Sequence, residues 1–206
     1  MRKPNLRLIV LLALALTLLS AAAWTATSPA KTQPLSVQVE RAFTNVGFSI
    51  MEFGVMKQDG SFRDFSGDVL YDAGHPERSH VNFTVQVASL DARSHNREHV
   101  VLSDDFFDAQ RFPTMTFAST SVAAKPDNAL DVTGDLTIHG VTKRVTVPVH
   151  YLGIHEISNG EKFAGFETTF TVDRTEFGVN GSRWQGGKLL LSKEVTVHLT
   201  VGGRVQ

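Results

Sequence analysis

Cysteine is absent from all 206 residues. That excludes a disulfide scaffold and any lipid attachment through a cysteine near the N-terminus, and it suits an exported chain with no thiol to protect. An excess of positive charge is missing as well. Twenty Lys and Arg face 21 Asp and Glu, with no basic stripe of the kind that phosphate backbones demand, so nucleic acid is not an expected partner. Proline and glycine, 7 and 16 residues, are too few for a collagen-like or low-complexity chain. With 42% hydrophobic and 20% charged residues, the composition is that of one ordinary globular domain.

Apolar runs are short, with one exception at the start. Basic Arg2, Lys3 and Arg7 precede an uncharged run from Leu8 to Leu19, and Ser20-Ala21-Ala22-Ala23 then supplies small residues. This is the three-part layout of a secretory signal peptide over residues 1–23, with cleavage expected after Ala23. The run would extend roughly 18 Å as a helix, short of the roughly 30 Å of hydrocarbon a spanning segment must cross. Extension through Trp24 brings it near the lower limit for a span, which keeps a retained anchor as the alternative. Cleavage removes three cations and no anion, leaving 17 against 21 and a net charge of −4. Residues 24–34 read as a flexible leader, and a single domain is expected over residues 35–203.

From Leu35 onward the apolar period is two. In His80–Val87, Val81, Phe83, Val85 and Val87 alternate with polar neighbours, and the pattern recurs at Val46/Phe48/Ile50, Val132/Leu136/Ile138, Val145/Val147/Val149/Tyr151, Thr168/Phe170/Val172 and Val195/Val197/Leu199/Val201. Such alternation marks half-buried antiparallel strands. Turn signals separate them, among them Asp59-Gly60, Lys125-Pro-Asp-Asn128, His139-Gly140 and Ser158-Asn-Gly160. Eight to nine strands are expected. His139-Gly140 predicts a tight hairpin in which glycine takes positive φ. Pro148 falls inside a strand pattern, so pairing should break there at an edge or a bulge. Ser94–Gln110 alone suits one or two short helices, ended before Pro113. The fold class is thus all-β, a two-sheet sandwich or a closed antiparallel barrel. If it is a barrel, its interior is either filled by side chains or holds one slender ligand.

Catalytic and metal motifs are weak. His95 and His99 stand four apart in the expected helix, but no His-Glu-x-x-His order or third ligand accompanies them. The stretch from Gly181 to Lys188 resembles a phosphate loop with the wrong spacing and no Ser or Thr after the lysine, and reads as a plain loop. Gly-x-Ser-x-Gly does not occur. Glu52 continues the Val46/Phe48/Ile50 face, where a carboxylate needs either an open mouth or a cation. A strand end facing water is the plain reading of Glu52; Arg174, just past Phe170 and Val172, has the same two readings and is a candidate partner for it.

Several blocks occur in order: Gly60-Ser-Phe62-Arg-Asp-Phe65-Ser-Gly67, Ser89-Leu90-Asp91, Arg97-Glu98, Asp105-Phe106-Phe107-Asp108, Phe112-Pro113-Thr-Met115-Thr-Phe117, Val132-Thr-Gly134-Asp-Leu136-Thr-Ile138-His139-Gly140, and Asp173-Arg174-Thr-Glu176-Phe177-Gly178. Together they resemble the YceI-like family of polyisoprenoid-binding periplasmic proteins, over about Leu35 to Val201. The resemblance implies an extended, lipocalin-like antiparallel barrel of about eight strands in the periplasm. Its apolar bore would hold the isoprenoid tail of a quinone or a related amphiphilic lipid. Homodimers and transient membrane contact for lipid exchange come with it, and no resident cofactor or metal does. Two departures stand out. Where the family commonly shows Asp-x-x-His-Ser, this chain has Glu40-Arg-Ala-Phe43-Thr44, and a histidine usual a few residues later falls at Glu52. After Arg97, Glu98 and Val100-Val101 replace Asp and His-Leu.

A prenyl or acyl chain is held by the removal of apolar surface from water, about 0.8 kcal/mol per buried carbon unit. The inward residues expected to line its tube are Phe48, Ile50, Phe83, Val85, Phe117, Leu136, Ile138, Val147, Val149, Phe170 and Val172. Phe106 and Phe107 would form a helical lid, and Glu52 and Arg174 the polar end. Two rival readings remain at this level. One is a filled barrel acting through its surface in stress or interaction; the other is a small enzyme on an amphiphile, with Glu52 or a histidine as base.

Overall fold

A computed structural model describes residues 33–181 and 190–206. The expected signal segment, the expected leader up to residue 32 and most of the Gly181–Lys188 stretch lie outside the described residues. Eleven strands form one antiparallel sheet: β1 (Leu35–Val39), β2 (Asn45–Glu52), β3 (Met56–Phe62), β4 (Phe65–Tyr71), β5 (His80–Gln86), β6 (Leu90–Asp91), β7 (Thr114–Ala124), β8 (Ala129–Ile138), β9 (Val141–Glu156), β10 (Lys162–Asp173) and β11 (Leu191–Val205). One α-helix, α1 (His95–Leu102), follows β6.

The sheet runs β1-β4-β5-β7-β8-β9-β10-β11, and β11 returns to β1 through Val37↔Val205, closing an eight-stranded ring. β11 is long enough to serve two neighbours. Its C-terminal end pairs with β1, while its N-terminal half pairs with β2, which carries β3 and β6 beyond it. The extra strands over the expected eight or nine are this short flank.

Hairpin chemistry sets the register. His139 and Gly140 both take positive φ, 51° and 73°, as a two-residue type I′ turn requires. Ile138 then faces Val141, and the β8–β9 ladder runs without a shift to Ala129↔His150. In that parity the odd residues of β9 exchange hydrogen bonds with β8, and the even ones turn their backbone groups toward β10. Pro148 is even, so its ring stands where a donor to β10 would be, and β8 loses nothing. The β9–β10 ladder starts at Glu156↔Lys162, passes a bulge near Gly165, and ends at His150↔Glu167, two residues short of Pro148. The expected break in pairing at Pro148 is present.

The helical region is smaller than the sequence suggests. α1 stops at Leu102 because Ser103 turns extended (ψ 170°), and Asp108 at φ 44° bends the chain back. Phe106 and Phe107 therefore lie in turns, not on a helix.

Candidate functional site: an apolar tube with a gap in its wall

The inward faces of the strands enclose a tube of about 230 Å³ whose lining is almost entirely carbon. For scale, a cavity of roughly 150 Å³ is enough to hold one benzene ring. Residues from β2, β4, β5, β7, β8, β9, β10 and β11 reach it. Alternation along the strands cannot distinguish a filled core from a hollow one, since either has one apolar face.

Part of what keeps the bore open is where the large rings lie. Phe48, Phe83 and Phe117 each rest on a glycine of a neighbouring strand. A Cβ at Gly60 would come within 2.4 Å of Phe48 Cζ, one at Gly67 within 2.8 Å of Phe83 Cδ2, and one at Gly134 within 2.5 Å of Phe117 Cζ. Without a side chain beneath them, the rings lie back against the wall instead of crossing the lumen.

Ten of the expected lining residues are at the tube: Phe48, Phe83, Val85, Phe117, Leu136, Ile138, Val147, Val149, Phe170 and Val172. Five are elsewhere. Ile50 lies on β2 beyond the lined stretch, which ends at Phe48. Phe106 is buried against Gly181, where a Cβ would meet its Cζ at 2.2 Å. Phe107 packs edge-on to Phe62 at 6.2 Å, backing the wall from outside the lumen.

Glu52 and Arg174 do not meet. Glu52 faces Arg97 of α1 at 3.7 Å, because the cation that answers the carboxylate comes from the helix packed beyond β2. Arg174 is buried under the turn after β10. Its guanidinium donates to the carbonyls of Ser192 (2.9 Å), Val179 (2.5 Å), Asn180 (3.0 Å) and Leu191 (3.2 Å). Burial pulls its pKa down, opposed by the neighbouring Asp173 carboxylate. It ties β11 to the chain leaving β10 and contributes nothing to the tube's polarity.

Sequence reasoning missed the aromatic end of the tube. Tyr71, Tyr151 and Phe166 form a cluster with ring centroids 4.7, 5.3 and 5.7 Å apart. Burial raises the pKa of both phenols above 10.0, and Tyr71 adds to the effect on Tyr151. Tyr151 and Phe166 are partners across the β9–β10 hairpin, whereas Tyr71 stands on β4, which pairs with neither strand, so only the finished barrel brings it to them.

The wall beside this cluster is not closed. Past His150↔Glu167, no pair joins residues 141–149 of β9 to residues 168–173 of β10. At the far end of the gap the turn after β10 is tied to the β8–β9 turn and the start of β9, through His139 Nδ1 and the Phe177 carbonyl at 3.2 Å and through Lys143 and Glu176 at 2.7 Å. Val145, Val147 and Val149 line the tube on one side of the gap and Thr168, Phe170 and Val172 on the other. The Thr168 hydroxyl is buried and has no hydrogen-bond partner among the described residues. An unpaired buried hydroxyl costs roughly 1–3 kcal/mol.

Other polar clusters stand outside the tube. Ser49 Oγ and His198 Nε2 are 3.0 Å apart, and His198 Nδ1 is 3.3 Å from Thr169 Oγ1, a chain across β2, β11 and β10 on residues that alternate with the lining ones. His95 on α1 lies against Glu98 at 3.2 Å.

Comparison with known proteins agrees with this architecture. A family model described as the YceI-like domain matches residues 38–202. A UPF0312 protein of Vibrio vulnificus is 37% identical over 143 residues, covering 69% of this chain and 76% of its own length. One from Pseudomonas putida is 38% identical over 136 residues, covering 66% and 71%. Among solved structures, Burkholderia cenocepacia BcnA superposes with a TM-score of 0.73 at 27% identity, over 80% of this chain and 99% of that one. A polyisoprenoid binding domain from Saccharophagus degradans, implicated in plant cell wall breakdown, shares the fold at a TM-score of 0.62 and 12% identity, over 84% and 99%. With a family match across nearly the whole barrel and relatives above one-third identity, the chain is a member of the YceI-like family.

Proposed function

We propose that this protein binds a long-chain amphiphilic lipid, a polyisoprenoid by preference, in the tube, and sequesters or carries it in the periplasm. The observation that carries the reading is the hollow, carbon-lined bore. A five-carbon isoprene unit buried there contributes on the order of 4 kcal/mol gross, before ordering costs. The tube is smaller than the roughly 300 Å³ at which drug-sized sites begin, which favours a slender chain over a bulky ring system. The polyisoprenoid binding domain of the same fold supports the ligand class, and the signal-like N-terminus supports export. Exposed Phe53, Val55 and Met56 at the β2–β3 turn give exchange with a membrane an apolar tip. Binding is favoured over catalysis, since Glu52, one of the bases the enzyme reading would use, is paired with Arg97 away from the bore.

The test is direct titration of the delipidated protein with phytanol, a saturated isoprenoid alcohol, read by displacement of a fluorescent fatty probe. Saturable one-to-one uptake is expected. A protein that takes up neither phytanol nor the probe refutes the reading and leaves the surface of the barrel as the place to look.

A further inference from the structure

We propose that the gap between β9 and β10 is the seat of the ligand's polar end, and that Thr168 recognises there an uncharged, hydrogen-bonding oxygen such as an alcohol or a quinone carbonyl. This deepens the reading of the tube as a lipid site and rests on it.

Three observations meet at this place. The first is the buried, unpartnered Thr168 hydroxyl on the tube's lining. It stands one residue past the last β9–β10 pair, among valine and phenylalanine side chains that offer it nothing. A hydroxyl both gives and accepts one hydrogen bond readily, so either a ligand hydroxyl or a carbonyl satisfies it. The second is the gap itself, fixed by covalent structure. Hairpin parity places Pro148 with its ring toward β10, which removes a donor where the ladder would continue. A head group at Thr168 therefore sits beside an opening in the wall, with the bore free for its chain. The third is charge. Among the described residues the lining holds no Lys or Arg to pair an anionic head, and a carboxylate buried without a partner is costly. A neutral isoprenoid alcohol or quinone fits this surrounding better than a fatty acid of equal length.

The competing seat is the aromatic end, where Tyr71 and Tyr151 also carry hydroxyls. The experiment measures affinities of the mature protein for three probes with the same branched chain: phytane, phytanol and phytanic acid. Thr168→Val should weaken phytanol about fivefold, the worth of one hydrogen bond, and leave phytane unchanged. Thr168→Ser should restore phytanol binding. Phytanic acid, whose carboxylate meets no Lys or Arg in the lining, should bind more weakly than phytanol. Because each Thr168 comparison is a coupling between one protein group and one ligand group, general damage to the barrel cancels. Equal effects of Thr168→Val on phytane and phytanol would overturn the assignment, as would loss of the alcohol's advantage in Tyr71→Phe in place of Thr168→Val. If none of the three probes binds the unaltered protein, the lipid reading fails as a whole.

Discussion

Replacing Gly134 by alanine tests whether the open bore depends on rings laid against glycine. The new Cβ would stand 2.5 Å from Phe117 Cζ and 2.6 Å from the Ala118 carbonyl oxygen, so the strand yields slightly and the ring swings off the wall into the lumen. Overpacking of this kind costs about 1–3 kcal/mol of stability. The effect on binding is larger. A benzene-sized group fills roughly 150 Å³ of a lumen of about 230 Å³, more than half the space open to a chain. Excluding even one isoprene unit forfeits on the order of 4 kcal/mol gross, and after ordering costs a loss of at least about a hundredfold in phytanol affinity is expected. Gly165→Ala is the control: its Cβ would meet only Leu152, at 3.5 Å, an ordinary contact outside the bore. Urea unfolding and probe displacement on both variants separate the two effects. Undiminished phytanol binding in a folded Gly134→Ala protein would show that the chain does not lie in the tube.

Arg174→Met strands four carbonyls under the β10–β11 connection and should lower stability by about 3–5 kcal/mol. In a domain of this size that amounts to roughly 10 °C in the unfolding midpoint, with Arg174→Lys rescuing little because an ammonium cannot fan across four acceptors; an unchanged midpoint would remove Arg174 from its place in the fold. Asp173 caps the turn that follows β10, and its carboxyl is held below the ordinary range, first by the Thr175 hydroxyl. Because its folded pKa is depressed, the stabilisation is present above the unfolded value of about 3.9 and is lost as pH falls through the folded one. Asp173→Asn should therefore flatten stability against pH below about 4, as followed by acid titration in urea. In hydrogen exchange, the amides of Thr142, Arg144 and Thr146 should exchange fast and those of Val145, Val147 and Val149 slowly; uniform protection along residues 141–149 would mean the gap is closed.

The strands were legible because each carries one apolar face, and the ten residues found at the tube follow from that period alone. Pro148 marked a break in pairing and His139-Gly140 a tight hairpin, but the side on which the break falls and its length follow only from the β8–β9 register. What stayed hidden depends on closure. Tyr151 and Phe166 share the β9–β10 hairpin, but Tyr71 reaches them from β4 only in the finished barrel. Glu52 found Arg97, rather than Arg174, because which cation arrives depends on where α1 docks. Phe106 and Phe107 looked like a helical lid because their apolar neighbours suit a helix, whereas Ser103 and the left-handed Asp108 end it early. Whether the inside is full was beyond the alternation, and the glycines opposite Phe48, Phe83 and Phe117 carry part of that information once the register is known.

The central claim is that an apolar chain occupies the bore. Native mass spectrometry of the protein purified from the cells that make it, followed by organic extraction, tests it most directly. The account predicts a stoichiometric adduct that extracts as a neutral prenylated lipid. A clean apo mass, unchanged after incubation with isoprenoid quinones and fatty acids, would contradict it.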